Sequence, residues 1–222
     1  MTVADVSLVS AVWGRFMGHV PGWFEMVAGL DPAPAEVVVA TFPEYAEQLR
    51  GFPCRLVVVS DEIPAGCGLV PWMANRAAFE ASCTWLANLG IDDRMMPNAL
   101  DGLEGTDADI VSVSAQLSDG RVVKARGEQN LRMVAEDMVL GPSYIRAELF
   151  RRVGGWREDR LLADWWLWVN AYLAGGRIVT WDYPTHWLDV TSPGRESSAR
   201  FPEFDYQEIR AHMAAALADG LR

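Results

Sequence analysis

Two adjacent carboxylates, Asp92 and Asp93, follow the apolar run Thr84 to Leu89, with only Gly90 and Ile91 between. In an open parallel sheet, residues just past the carboxyl ends of the strands converge on the ligand crevice. Neighbouring acids at such an edge repel each other unless something cationic or hydrogen-bonding stands there. A hard divalent cation that also reaches phosphate oxygens meets that need. The other reading of the pair is a cap on a helix starting near Pro97. Trp13, Gly14 and Arg15 follow the first apolar run, Thr41 ends the second and Asp61 follows the third. Asp164 sits in the first turn of a Trp-rich helical stretch, where an acid also simply suits the helix dipole.

Elements that could position these residues alternate along the chain. Val6 to Val12, Glu36 to Thr41, Arg55 to Ser60 and Thr84 to Leu89 are short, continuous apolar runs and read as buried strands. Helices are expected over Gly22 to Leu30, behind Pro21, and over Pro43 to Arg50, with Asp61 to Val70 as a loop. Further helices are expected from Pro71 to about Cys83 and from Pro97 to about Glu104. Asp109 to Leu117 and Val122 to Ala125 flank Ser118-Asp119-Gly120 and read as a hairpin. Tyr144 to Val153 reads as a helix stopped by Gly154-Gly155, and Asp164 to Ala174 as a second one stopped by Gly175-Gly176. Arg177 to Asp182 is a last strand, Pro193 to Pro202 a loop, and Glu203 to Leu217 a terminal helix. The expected fold class is α/β, with a mainly parallel sheet covered on both faces and a small antiparallel hairpin.

Composition narrows the function classes. The 222 residues carry a formal charge of −11. So acidic a surface argues against nucleic acid and against an anionic membrane as partners. It also means that a diphosphate ligand needs positive charge supplied locally. Lys124 is the only lysine; the Arg-rich balance fits coding bias in a GC-rich genome. Cys54, Cys67 and Cys83 form no CxxC pair, which fits thiols in a reducing compartment. No secretory signal and no apolar span of about 18 residues is visible, so a soluble, cytoplasmic protein is expected. The ten tryptophans suggest clefts or contact faces as well as core, because an indole N–H is costly to bury alone.

Several segments, taken in order, resemble family 2 glycosyltransferases of the GT-A fold. Trp72 to Leu100 (WMANRAAFEASCTWLANLGIDDRMMPNAL) is similar to that family's central helix, strand and acidic motif. VSLVSAVWGRF is similar to its first strand and following loop. GPSYIRAELFRRVGGWRE, LADWWLWV and RIVTWDYPTH resemble three segments of its second half, so the likeness runs from about Val6 to Arg195.

The resemblance implies a three-layer, Rossmann-like α/β/α domain over residues 1–222. A nucleotide-binding half would span about 1–105, an acceptor and catalytic half about 106–195, and a helical tail 196–222. It implies a nucleotide-diphospho-sugar donor of UDP or GDP type, an acceptor of unknown kind, and Mn²⁺ or Mg²⁺. Val12, Trp13, Arg15, Thr41, Arg76 and Asp92 would contact the donor. Asp93, and His186 after the last strand, would hold the metal. Arg195 could close over the phosphates as a lid. Asp164 would be the general base of an inverting transfer, its pKa raised by desolvation beside Trp165 and Trp166. Those two indoles would give the acceptor an aromatic platform.

Three departures stand out. The family's first acid falls on Gly90, the acid that reads the base falls near Ala40 and Thr41, and the usual catalytic Glu is Ala163. They leave a second reading, a catalytically inactive sugar-nucleotide or glycan-binding module. A nucleotidyltransferase would need a Gly-rich loop after the first strand, and a dehydrogenase a GxGxxG there; AVWGRF is neither.

Overall fold

A computed structural model describes residues 3–60, 62–125, 139–160, 162–190 and 203–218. Asp61 and Arg195 lie outside the described residues, as does the stretch around Arg195 expected as a loop. Four parallel strands form one half of the sheet: β1 (Val3–Ala11), β2 (Ala33–Thr41), β3 (Arg55–Val58) and β4 (Trp85–Asn88). Between them run α1 (Val20–Ala28), α2 (Pro43–Leu49) and α3 (Leu69–Glu80). Pro at the start of α1 and α2 explains why both begin where they do.

The second half adds β5 (Arg94–Met95), β6 (Ile110–Leu117), β7 (Val122–Val123), β8 (Tyr144–Arg146) and β9 (Ile178–Leu188). Its helices are α4 (Ala147–Arg152), α5 (Ala163–Leu173) and α6 (Glu203–Ala218). The spatial order is β3-β2-β1-β4-β8-β6-β9-β5, with β7 on β6. β8 runs against both its neighbours, while β6 and β9 share the direction of β1 to β4. The sheet is therefore mostly parallel with a small antiparallel part, as expected. No helix of the described residues is long and apolar enough to cross a membrane.

Alternation along the strands divides the core between two faces. Val9, Val38, Leu86 and Ile145 face α3, α4, α5 and α6. Leu8, Val39, Ala87 and Tyr144 face α1 and the segment Ala99 to Leu103. Two layers of cover on one sheet give the three-layer arrangement.

Two expected helices differ. Pro97 to Glu104 forms successive turns, with Ala99 N–H on Met96 O and Asp101 N–H on Asn98 O. Asn98 and Gly102 are poor helix residues, and the turns still bury Ala99, Leu100 and Leu103. Tyr144 to Arg146 is a strand, and only Ala147 to Arg152 is helical. The slot between β4 and β6 supplies β-ladder partners that outweigh local helix propensity.

The tryptophans also differ from expectation. Trp23, Trp72, Trp156, Trp166 and Trp168 are buried, and their Nε1 atoms have no hydrogen-bond partner among the described residues. Burying an indole removes about 200 Å² from water, worth roughly 5 kcal/mol, against about 1–3 kcal/mol for one unpaired N–H. Area wins.

Candidate active site

Hydrogen bonds lock the strand ends at the carboxyl edge. Ser10 Oγ donates to Leu89 O (2.7 Å) and Leu89 N–H to Val9 O (3.0 Å). Thr41 Oγ1 donates to Val12 O (2.8 Å), while Val12 N–H donates to Ala40 O (3.0 Å). Val12 and Thr41 are thus buried parts of the edge itself. Trp13 is half-buried and meets the Phe16 ring edge-on at 5.5 Å. Arg15 is exposed, its guanidinium 5.0 Å from the same ring.

Asp92 and Asp93 meet over Gly90. A Cβ built on Gly90 would stand 2.9 Å from Asp92 Oδ1 and 2.9 Å from Asp93 Oδ2, so both oxygens flank the same point. Asp93 N–H donates to Gly90 O (3.0 Å), closing the turn that folds its side chain back. Asp93 is 9% exposed, and its Oδ1 accepts the Asp189 N–H at 3.2 Å. No helix starts at Pro97, so the capping reading of the pair fails. Past the two acids the chain enters β5, pinned against β9 through Arg94–Trp187 and Met95–His186.

Two converging carboxylates suit a hard cation that keeps waters and takes its other ligands from phosphate. Among the described residues no group of three or more His, Cys, Asp and Glu could hold a metal, so a cation here would depend on its ligand's oxygens. His186, expected beside Asp93 as a metal ligand, is wholly buried in β9. Its ring lies 5.8 Å from that of Tyr144, its Nδ1 is 2.8 Å from Thr185 Oγ1, and Nε2 meets no partner among the described residues. Burial pushes its pKa down to about 3. This is a neutral core imidazole.

Register puts Asp164 at the same edge. Tyr144 pairs with Ala87 near the carboxyl end of β4, so Gly141, three residues earlier, lies beyond that end. A Cβ on Gly141 would stand 2.5 Å from Asp164 Oδ2. The half-buried Asp164 side chain, in the first turn of α5, therefore packs on the Gly141 backbone. β6 and β9 run past this level, and Asp189 at the end of β9 reaches Asp93. Trp165 and Trp166, expected as an acceptor platform, are each 2% exposed and belong to the core under α5. Arg157 lies over the Trp166 ring at 4.6 Å, and His212 of α6 flanks it at 5.3 Å. Neither indole presents a face to solvent.

Arg76 is half-exposed on α3, 5.1 Å over Trp72 and 3.7 Å from Glu158 Oε1. Its neighbour Asn75 is the more deeply engaged. Asn75 Nδ2 donates to Trp156 O (2.8 Å) and Glu158 Oε1 (2.9 Å), and Oδ1 accepts the Trp156 N–H (3.0 Å). Gly155, at φ 74°, lets the backbone come that near, since a Cβ there would be 2.5 Å from Asn75 Oδ1. Glu158 O in turn accepts the Gly68 N–H at 2.6 Å. This clamp fixes the chain six residues ahead of Asp164. Asn75, Gly141 and Asp189 are the residues that the sequence motifs alone do not single out. The Gly154-Gly155 pair is visible there only as a helix stop.

No protein-family profile and no curated protein matches this chain. Solved structures do. TarS of S. aureus, residues 1–349 in complex with UDP-GlcNAc, superposes with a TM-score of 0.72 at 17% identity, covering 97% of this chain and 66% of that one. The same protein in complex with UDP gives a TM-score of 0.66 at 16% identity, covering 96% of this chain and 71% of TarS 1–349. The mannosyltransferase PcManGT of Pyrobaculum calidifontis, in complex with GDP-Man and Mn²⁺, gives 0.62 at 15% identity, over 99% of this chain and 75% of its own. The present chain therefore spans about two thirds of the TarS segment. Likeness at this identity establishes the fold, and the fold is that of GT-A glycosyltransferases.

Proposed function

We propose that this chain transfers a sugar from a nucleoside-diphosphate sugar of UDP or GDP type to an acceptor hydroxyl, with inversion at the anomeric carbon. The observation that supports the reading is that two acidic sites lie beyond the same end of β4: Asp92 and Asp93 around Gly90, and Asp164 against Gly141. Fold neighbours that bind UDP-GlcNAc and GDP-Man support it.

In this reading Asp164 accepts the proton of the acceptor hydroxyl as that oxygen attacks the anomeric carbon. The bond from that carbon to the β-phosphate oxygen breaks, and its electron pair leaves with the nucleoside diphosphate. Asp93 would hold Mn²⁺ or Mg²⁺, with Asp92 reaching the ribose or the ion's waters, and the ion would supply positive charge to the diphosphate. Val12, Trp13, Arg15 and Thr41 would border the nucleoside, with Arg76 on its phosphate side. Asn75 positions the segment that leads into Asp164.

A thermal-shift screen of UDP, GDP, dTDP and CMP, each with and without Mn²⁺, identifies the base, because a bound ligand raises the melting point by mass action. Slow release of nucleoside diphosphate from the matching sugar donor then separates an enzyme from a binding module. Release that depends on Asp164 supports transfer. Binding with no release at any pH would favour the inactive module instead, and no binding of any nucleotide would overturn both.

A further inference from the structure

A concavity of about 470 Å³ opens at the opposite, amino edge of the sheet. Trp85 pairs with Arg146 at the start of β4, and Arg146 N–H donates to Asp109 O at the start of β6. The concavity is thus separated from Asp92, Asp93 and Asp164 by the length of the strands. Its size is that of a small-molecule site.

Its lining gathers three arginines beside three acids, Asp107, Asp109 and Glu148. Arg146, Arg151 and Arg152 all border it, in a protein of net charge −11. None of the three forms an ion pair with a carboxylate among the described residues. Neutral groups orient two of them instead. Arg146 donates Nε to Ala108 O (3.1 Å) and Nη2 to Thr106 O (2.9 Å), with Trp85 4.4 Å beneath its guanidinium. Arg151 Nη2 donates to Ala81 O. Backbone carbonyls fix a guanidinium without cancelling its charge, and its remaining N–H groups keep the fork geometry that suits an oxyanion.

Of the three acids that line it, one is neutralised by an ion pair and one is held by a backbone N–H. Asp107 is ion-paired with Arg177, and Asp109 Oδ2 accepts the Arg177 N–H at 2.9 Å. Glu148 is exposed in the first turn of α4. Asp5, outside the lining, feels the charge of Arg146 but is turned onto Thr84, whose N–H it accepts at 3.3 Å.

We propose that this arginine-lined concavity binds a small oxyanion, the phosphate or carboxylate group of a metabolite, at a site separate from the carboxyl edge. Arg152, exposed and without a partner among the described residues, is the contact whose loss costs the fold least. Cys83 also borders the concavity and gives a local reporter.

Inorganic phosphate and citrate are titrated by calorimetry at one fixed ionic strength into the full chain, Arg152→Gln and the surface control Arg50→Gln. Alkylation of Cys83 is followed in parallel by peptide mass spectrometry. The expected result is binding by the native chain and the control, weakened about tenfold or more in Arg152→Gln. Cys83 alkylation should slow with bound anion in the native chain and the control, and not in Arg152→Gln. Preference for phosphate or for citrate tells which group the site takes. Equal affinity in Arg152→Gln and Arg50→Gln, unprotected Cys83, or binding of neither anion would each overturn the proposal.

Discussion

Gly141 and Asp164 interlock: the carboxylate of one fills the space a side chain of the other would need, with 2.5 Å between Oδ2 and the position of a Cβ. Gly141→Ala should therefore push the Asp164 carboxylate aside. If Asp164 takes the acceptor proton, the turnover rate falls at least tenfold while nucleotide affinity, read by thermal shift, stays unchanged. Asp164→Asn should show the same split with a larger loss. Full turnover in Asp164→Asn would remove it from the mechanism.

The same logic applies across Gly90. Its missing side chain lets Asp92 and Asp93 approach, each at 2.9 Å from the Cβ position. Asp93→Ala should abolish the Mn²⁺-dependent part of the nucleotide-induced melting shift. Gly90→Ala should reduce that part too, by separating the carboxylates, and leave the metal-free melting point nearly unchanged.

Asn75 gives a prediction about stability and positioning together. Asn75→Ala removes three hydrogen bonds and leaves the Trp156 N–H and C=O buried and unpaired, a cost of about 2–4 kcal/mol in denaturant unfolding. Asn75→Asp keeps an acceptor for Trp156 N–H but sets a carboxylate against Glu158. It should lose comparable stability at neutral pH and recover part of it on acidification.

Glu36 sets a pH dependence at the amino edge. Burial pushes its pKa up, but the Ser7 hydroxyl at 2.6 Å, the Ser82 N–H at 2.8 Å and Arg55 more than compensate, so it falls below its ordinary 4.5. The unfolded chain then binds the proton more readily, and stability rises with pH through this window. The contribution is complete above about 4.5 and is lost as pH falls through the folded value. Glu36→Gln should cost roughly 1–2 kcal/mol at pH 7, and the gap to the native chain should close on titration below that window.

The strands β1, β2, β3 and β4 were legible because parallel strands covered on both faces must be continuous apolar runs, as VSLVSAV and EVVVAT are. Asp92 and Asp93 were legible for a related reason: position after a buried strand fixes the edge at which they emerge. Asp164 was assigned to the site by the resemblance alone, since its place in a first helical turn equally suits the helix dipole. What stayed hidden depended on partners far along the chain. Tyr144 to Arg146 reads as the start of a helix until β4 and β6 offer a slot for it. Asn75 looks like any helix polar residue until Trp156 arrives, 81 residues later. Trp165 and Trp166 carried no signal for which side of α5 would be covered, and α6 with Arg157 closes over the second of them. His186 looked like a ligand because it comes after a strand's apolar start, but β9 runs on through it to Leu188.

β8 makes the chain cross the sheet once in the wrong sense, and the stretch after α4 climbs back, tethered by Asn75 and by Gly68 on Glu158 O. A descent and then an ascent leave the polarity of everything downstream as it was. α5 consequently still starts at the rim where β6 finished, with its acid beside Gly141, and β9 still rises parallel to β6. The excursion widens the sheet by one strand and stations a row of arginines on the far rim. Deleting the strand without its return leg would turn α5 upside down.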